Sequence, residues 1–169
     1  MKKLMIVSAV TMAMATGTAM ASQGDIQFFG NVTEVTCDVT PESGGRVANM
    51  VQLGTVKKGM TGESVDLVLK ASSNGGDCAQ LGGKMAVIAW NGNLTSDGIG
   101  AQGGAAQDAY VILKPANGNS DAAITSASNS AEFDAEKAST DGFKFTAQLK
   151  GGQTPGDFQT AAAYAVTYK

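Results

Sequence analysis

Asp141-Gly142-Phe143-Lys144-Phe145-Thr146-Ala147-Gln148-Leu149-Lys150 alternates apolar and polar side chains without a break. A period of two puts Phe143, Phe145, Ala147 and Leu149 on one face and Lys144, Thr146, Gln148 and Lys150 on the other, the pattern of a half-buried β-strand. Downstream, Gly151-Gly152 and Pro155-Gly156 are turn signals. The chain then alternates again through Ala161-Ala162-Ala163-Tyr164-Ala165-Val166-Thr167-Tyr168-Lys169, with Tyr164, Val166 and Tyr168 in step.

The same period recurs upstream, and no window of a dozen residues carries an apolar stripe at helical spacing. Val35, Cys37 and Val39 share one face of an expected first strand. Val47 to Val56 reads as a second, with Val51 and Leu53 inward. Val65, Leu67 and Leu69 alternate with Ser64, Asp66, Val68 and Lys70 as a further half-buried strand, and Met85 to Trp90, apolar on both faces, as a central one. Asn91 to Asp108 is rich in Gly, Asn, Ser and Gln and reads as a long surface loop. Ala109 to Lys114 is a strand closed by Pro115, Asn117 to Asn129 is turn-like, and Ala131 to Ala138 suits a short helical turn. Short strands separated by turn signals describe an all-β sandwich.

Lys2-Lys3, an apolar run from Leu4 to Ala15 and the small residues Ala19-Met20-Ala21 have the layout of a signal peptide. Ser8, Thr11 and Thr16-Gly17-Thr18 make the run too short and too polar for a membrane anchor. Cleavage after Ala21 leaves 169 − 21 = 148 residues, which suits a single domain. Without Lys2 and Lys3 the charge balance is 10 basic against 15 acidic residues, a net −5, and there is no histidine. Such a chain repels phosphate backbones, so nucleic acid and anionic membrane surfaces are not expected partners. In an oxidising compartment Cys37 and Cys78 are expected to form a disulfide. Zinc is the alternative for these two residues, but it wants four ligands and there is no histidine to supply any.

Ser22-Gln23-Gly24-Asp25-Ile26-Gln27-Phe28-Phe29-Gly30-Asn31-Val32 is a further strand pattern, with Gly24, Ile26, Phe28, Gly30 and Val32 on one face. Glycine weakens a strand, so Gly30 among good strand formers marks either a place where another backbone comes close or a bulge in an ordinary first strand. At the other end, the Tyr164 to Tyr168 strand is either an edge open to a partner chain or one already paired within its own sheet.

Taken together, these features resemble the chaperone-usher pilins over the whole mature chain. The resemblance rests on Gly-Asp-Ile-Gln-Phe-Phe-Gly-Asn-Val before the first cysteine, Val51-Gln52-Leu53-Gly54 between the cysteines, the two-cysteine layout, the penultimate Tyr168, and Gly156 at the fourteenth place from the end. The tail from Asp141 to Lys169 is, more narrowly, similar to the major pilins of porcine oedema-disease fimbriae. The resemblance implies an incomplete immunoglobulin-like β-sandwich, completed by a donor strand from another chain. It divides the chain into a signal peptide (1–21), an amino-terminal donor strand (22–33) and a pilin domain (34–169).

By the same resemblance, Ile26, Phe28, Gly30 and Val32 enter a neighbouring subunit's groove. Gly156, Tyr164, Val166, Tyr168 and Lys169 belong to the groove strand that a periplasmic chaperone grips before an outer-membrane usher exchanges it for the next subunit. Only Ser22 and Gln23 precede Gly24, a shorter extension than in many relatives, which leaves open how many groove pockets it fills. The implied role is a homopolymeric, cell-surface structural subunit supporting adhesion to host cells. The alternative is a subunit that itself binds a host glycan through Asn91 to Asp108 or the polar loop around Asn117.

Other motifs are weaker. Gly98-Ile99-Gly100-Ala101-Gln102-Gly103 matches a dinucleotide fingerprint as a string, but no strand–turn–helix surrounds it. Without histidine, imidazole-based triads are excluded, and Asp134 with Glu136 reads as solvated charge. Trp90 and Tyr110 could stack on a sugar, although a single Trp in an apolar run is more often core. No enzymatic activity, cofactor, metal or stable membrane insertion is expected.

Overall fold

The structure, a computed structural model, describes residues 37–76 and 78–169. The expected signal peptide and donor strand lie outside them. Among the described residues the strands are β1 (Cys37–Ser43), β2 (Arg46–Val47), β3 (Val65–Gly76), β4 (Met85–Gly92), β5 (Ile99–Gly100), β6 (Tyr110–Pro115), β7 (Ser130–Asp134), β8 (Phe143–Lys150) and β9 (Ala162–Tyr168). They form two sheets, ordered β2-β1-β3-β8-β6-β5 and β7-β4-β9, and every pairing is antiparallel.

The alternation that opened the sequence reading sets the core. In β8, Phe143, Phe145, Ala147 and Leu149 are buried and the residues between them half-buried. Leu67 and Leu69 of β3 and Val111 and Leu113 of β6 extend the same inner face. From the opposing sheet, Ala86, Ile88 and Trp90 of β4 and Ala131 and Phe133 of β7 fill the space between the layers. Trp90 meets Phe145 edge-on at 5.3 Å, and Phe133 packs on Phe143 and Phe145, so the single tryptophan is core rather than a sugar platform. β4 is central in its sheet, as its apolar run predicts.

Three expectations are corrected. Of Val47 to Val56, only Val47 lies in a strand; Val51, Leu53 and Val56 do turn inward, half-buried, but the segment from 48 to 56 has no ladder partner among the described residues. Asn91 to Asp108 is not a simple surface loop. It contains β5 and buries Ile99, Ala101 and Ala106, because Gly98 passes so close to β6 that a Cβ there would collide with the Val111 carbonyl. Ala131 to Ala138 divides between β7 and a 3-10 turn at Ala135–Ser139 rather than forming one helical turn. Pairing with β4 at Ala86↔Phe133 and Ile88↔Ala131 holds the first half extended.

A disulfide joins Cys37 at the start of β1 to Cys78, across a sequence separation of 41. Closing a loop of that size restricts the unfolded chain by about 4 kcal/mol, a large share of the stability of one domain. Cys37→Ser is therefore expected to lower the unfolding free energy of the folded subunit by roughly 2–5 kcal/mol. Denaturant titration of the oxidised and mutant chains measures that difference.

Candidate functional site: an unsealed edge of the sandwich

β9 pairs with β4 in register from Ala86↔Tyr168 to Gly92↔Ala162 and, among the described residues, is an outer strand of its sheet, as β7 is on the other side of β4. Lys169 extends the contact: its N–H donates to the Met85 carbonyl at 2.8 Å, and the Met85 N–H donates to the Lys169 carbonyl at 3.0 Å. Val166 and Tyr164 are half-buried against the core, Tyr168 is buried and the Lys169 side chain is exposed.

The two tyrosines reach across the sandwich. The Tyr164 hydroxyl donates to the Val39 carbonyl at 3.1 Å, and the Tyr168 hydroxyl donates to the Cys37 carbonyl at 2.8 Å. They tie the outer strand of one sheet to the disulfide-bearing strand of the other, a link that the alternation Tyr164, Val166, Tyr168 could not disclose. Burial, reinforced by the Asp38 charge, pushes the Tyr168 hydroxyl up to about 12, and burial raises Tyr164 as well. In the unfolded chain a tyrosine ionises near pH 10. The neutral hydroxyl thus contributes stability that is complete below about pH 10 and lost as pH rises towards 12. Thermal midpoints measured across this range should fall steeply for the natural chain and less steeply for Tyr168→Phe.

Before β9 begins, a cleft of about 1110 Å³ opens between the unladdered segment around Val51, Leu53 and Val56 and the stretch containing Phe158, with Ala106 and Leu149 also in its lining. Gly156 shapes this wall. Its φ of +151° lies where side chains other than glycine's are strained, and a Cβ would collide with that of Ala105. The former loop region holds the wall in place: Ala106 N–H donates to the Asp157 carbonyl, Gly103 and Gln159 exchange backbone bonds, and Thr160 Oγ1 donates to the Gly100 carbonyl at 2.7 Å. Sequence reading missed this support, since only Ile99 and Leu94 break the polar composition of that stretch.

The structure places Tyr164, Val166, Tyr168 and Lys169 along β9 and its end, with Cys37 across from Tyr168, and Gly156 apart from them in the cleft wall against Ala105. Ile26, Phe28, Gly30 and Val32 lie outside the described residues. No cluster of three or more metal-ligating side chains occurs among the described residues, and no described helix is long and apolar enough to cross a membrane.

Among the described residues the chain is an all-β sandwich of two antiparallel sheets with β9 as an outer strand, a fold it shares with a solved pilus subunit. The structure aligns with the P pilus rod subunit PapA at a TM-score of 0.54 and 18% identity, covering 86% of this chain and all of that one, a likeness of fold. No protein-family model matches the chain. In sequence it is 57% identical to the F107 fimbrial protein of Escherichia coli over the full length of both. It is also 33% identical to the K99 fimbrial protein of the same species, over 99% of this chain and 98% of that one, and 25% identical to the major MR/P fimbria protein of Proteus mirabilis. The chain belongs to the chaperone-usher fimbrial pilins, and its fold is the incomplete immunoglobulin-like sandwich expected from its sequence.

Proposed function

We propose that this pilin is a structural subunit of an extracellular fimbria, polymerised by donor-strand exchange, and that the assembled fibre supports adhesion to host cells. The observation that carries the reading is the edge itself: among the described residues β9 is an outer strand of its sheet, and the stretch leading into it forms the wall of a cleft lined by half-buried apolar side chains of a segment that has no ladder partner among the described residues. Sheet edges of this kind are usually blunted unless pairing is their purpose.

Residues 1–21 direct export through the periplasm, residues 22–33 are the strand lent to the next subunit, and residues 34–169 form the domain that receives one. A strand laid antiparallel to β9, the sense shared by every described strand pair, brings Val32 to the Phe158 side and Ile26 towards Tyr168. Burying Ile26, Phe28 and Val32 at roughly 1.5–3 kcal/mol each amounts to about 5–9 kcal/mol. Each ladder hydrogen bond adds roughly 0.5–1.5 kcal/mol. This matches the net stability of a typical domain, so a subunit without its strand is marginal and needs a periplasmic chaperone until an outer-membrane usher passes it to its neighbour. The chaperone grips Tyr164, Val166 and Tyr168 and holds the Lys169 carboxylate with basic side chains.

Removing residues 22–33 while keeping the export signal tests the assignment. Cells should carry no fibres of this subunit yet still accumulate it in the periplasm bound to the chaperone. Fibres of normal length would contradict it.

A further inference from the structure

The groove wall formed by residues 151–160 is held from outside by one carboxylate. Asp108 Oδ2 accepts the Gln153 N–H at 2.6 Å, and both carboxylate oxygens lie 3.3 Å from the Thr154 nitrogen. Gly152 packs so tightly on this group that a Cβ there would collide with the carboxylate. The Gln153 and Thr154 N–H groups also hold the Asp108 carboxyl below its ordinary value.

The clamped turn is in turn bonded to the opposite wall. Gly59 N–H donates to the Gly152 carbonyl at 3.0 Å, and Gly151 N–H donates to the Met60 carbonyl at 2.9 Å. Lys150 Nζ donates to the Gly59 carbonyl at 2.8 Å. One exposed side chain therefore sits where three cleft-lining segments meet: the one containing Val51 to Lys58, the one containing Ala106 and Ala109, and the one from Gly151 to Thr160. Since Asp108 is exposed, burial does not explain its position; its bonds to the turn do.

We infer that Asp108 is a positioning residue for strand uptake, holding the 151–154 turn so that the cleft keeps the width needed to seat the last apolar residue of the incoming strand, Val32. The inference rests on the donor-strand reading and deepens it by naming what sets the geometry at one end of the groove. Asp108 does not touch the incoming strand. It acts through the turn, so its effect is confined to the part of the strand that reaches the cleft.

The test uses the mature chain in complex with its chaperone and two synthetic peptides, residues 22–33 and residues 22–30, the second stopping before Val32. Uptake is followed as chaperone release. The natural chain should take up the longer peptide about tenfold faster, since seating Val32 is worth about one decade. Asp108→Ala should remove most of that advantage and leave the shorter peptide's rate unchanged, and Asp108→Asn, which keeps one acceptor oxygen, should fall between. Equal slowing of both peptides, or of neither, would overturn the inference. If the natural chain accepted no peptide at all, the donor-strand reading itself would fail.

Discussion

Ile26→Asp is expected to abolish fibre growth while leaving the subunit able to fold on its chaperone. The substitution removes the burial of one large aliphatic side chain, worth roughly 1.5–3 kcal/mol, and asks an apolar groove to accept a carboxylate, at a further cost of several kcal/mol. Together these exceed about 4 kcal/mol, a thousandfold or more in strand affinity. Gly30→Trp should have the same outcome by a different route, because a bulky side chain then occupies the place where the receiving backbone approaches closely. On the proposed assignment both residues act when the subunit serves as donor, so co-purification with the chaperone should persist. Electron microscopy of cells expressing either variant as their only copy of this subunit should find no fibres; normal fibres would contradict the assignment of Ile26 and Gly30.

Deleting Tyr168 and Lys169 is expected to have the opposite signature, loss of the chaperone complex itself. The deletion removes the Tyr168 hydroxyl bond to the Cys37 carbonyl and both backbone bonds between Met85 and Lys169. It also withdraws the terminal carboxylate by two residues, about 7 Å along an extended chain, beyond the reach of fixed basic groups. Lys169→Ala keeps that carboxylate in place and should retain the complex, which separates the role of the chain end from that of the lysine side chain. Co-purification from periplasmic extracts measures both, and an undiminished complex after the deletion would refute the role given to this edge.

How much of this was legible in the sequence depended on where each residue's partner lay. Phe143 to Leu149 read correctly because their alternation is matched by burial on one face alone, and β4 read as central because it is apolar on both. Val51 and Leu53 were correctly read as inward, but their segment was wrongly read as a strand: periodicity reports which face is apolar, whereas a ladder also needs a neighbouring backbone, absent here among the described residues. The stretch from Asn91 to Asp108 misled for a different reason. Its polar composition and many glycines suggest solvent exposure, yet Gly98 is a glycine of close packing, and Gln159 to Ala161 are held by the Gly103 backbone, the Gly100 carbonyl and the Gln102 side chain. Ile124, fully buried within a polar run, gave no periodic signal at all. The tyrosine cross-links and the Asp108 clamp join residues 45 to 131 positions apart, and no local pattern encodes such pairs.

On the proposed exchange, the edge that would receive a strand and the segment that would donate one are parts of one economy of stability. A subunit complete in itself would have no reason to polymerise, and one too incomplete would not survive to meet its neighbour. The tyrosine links from β9 to β1 hold the two layers together where β9 is outermost among the described residues, and the Cys37–Cys78 disulfide pins the start of β1 to the turn that follows β3.

Thermal unfolding of the mature chain, alone and with a peptide of residues 22–33, bears most directly on the missing strand. The peptide should raise the midpoint by roughly 15–30 °C, the equivalent of about 5–9 kcal/mol for a domain of this size. A monomer that melts high without any peptide, with its own leading segment unbound, would show that the sandwich lacks nothing.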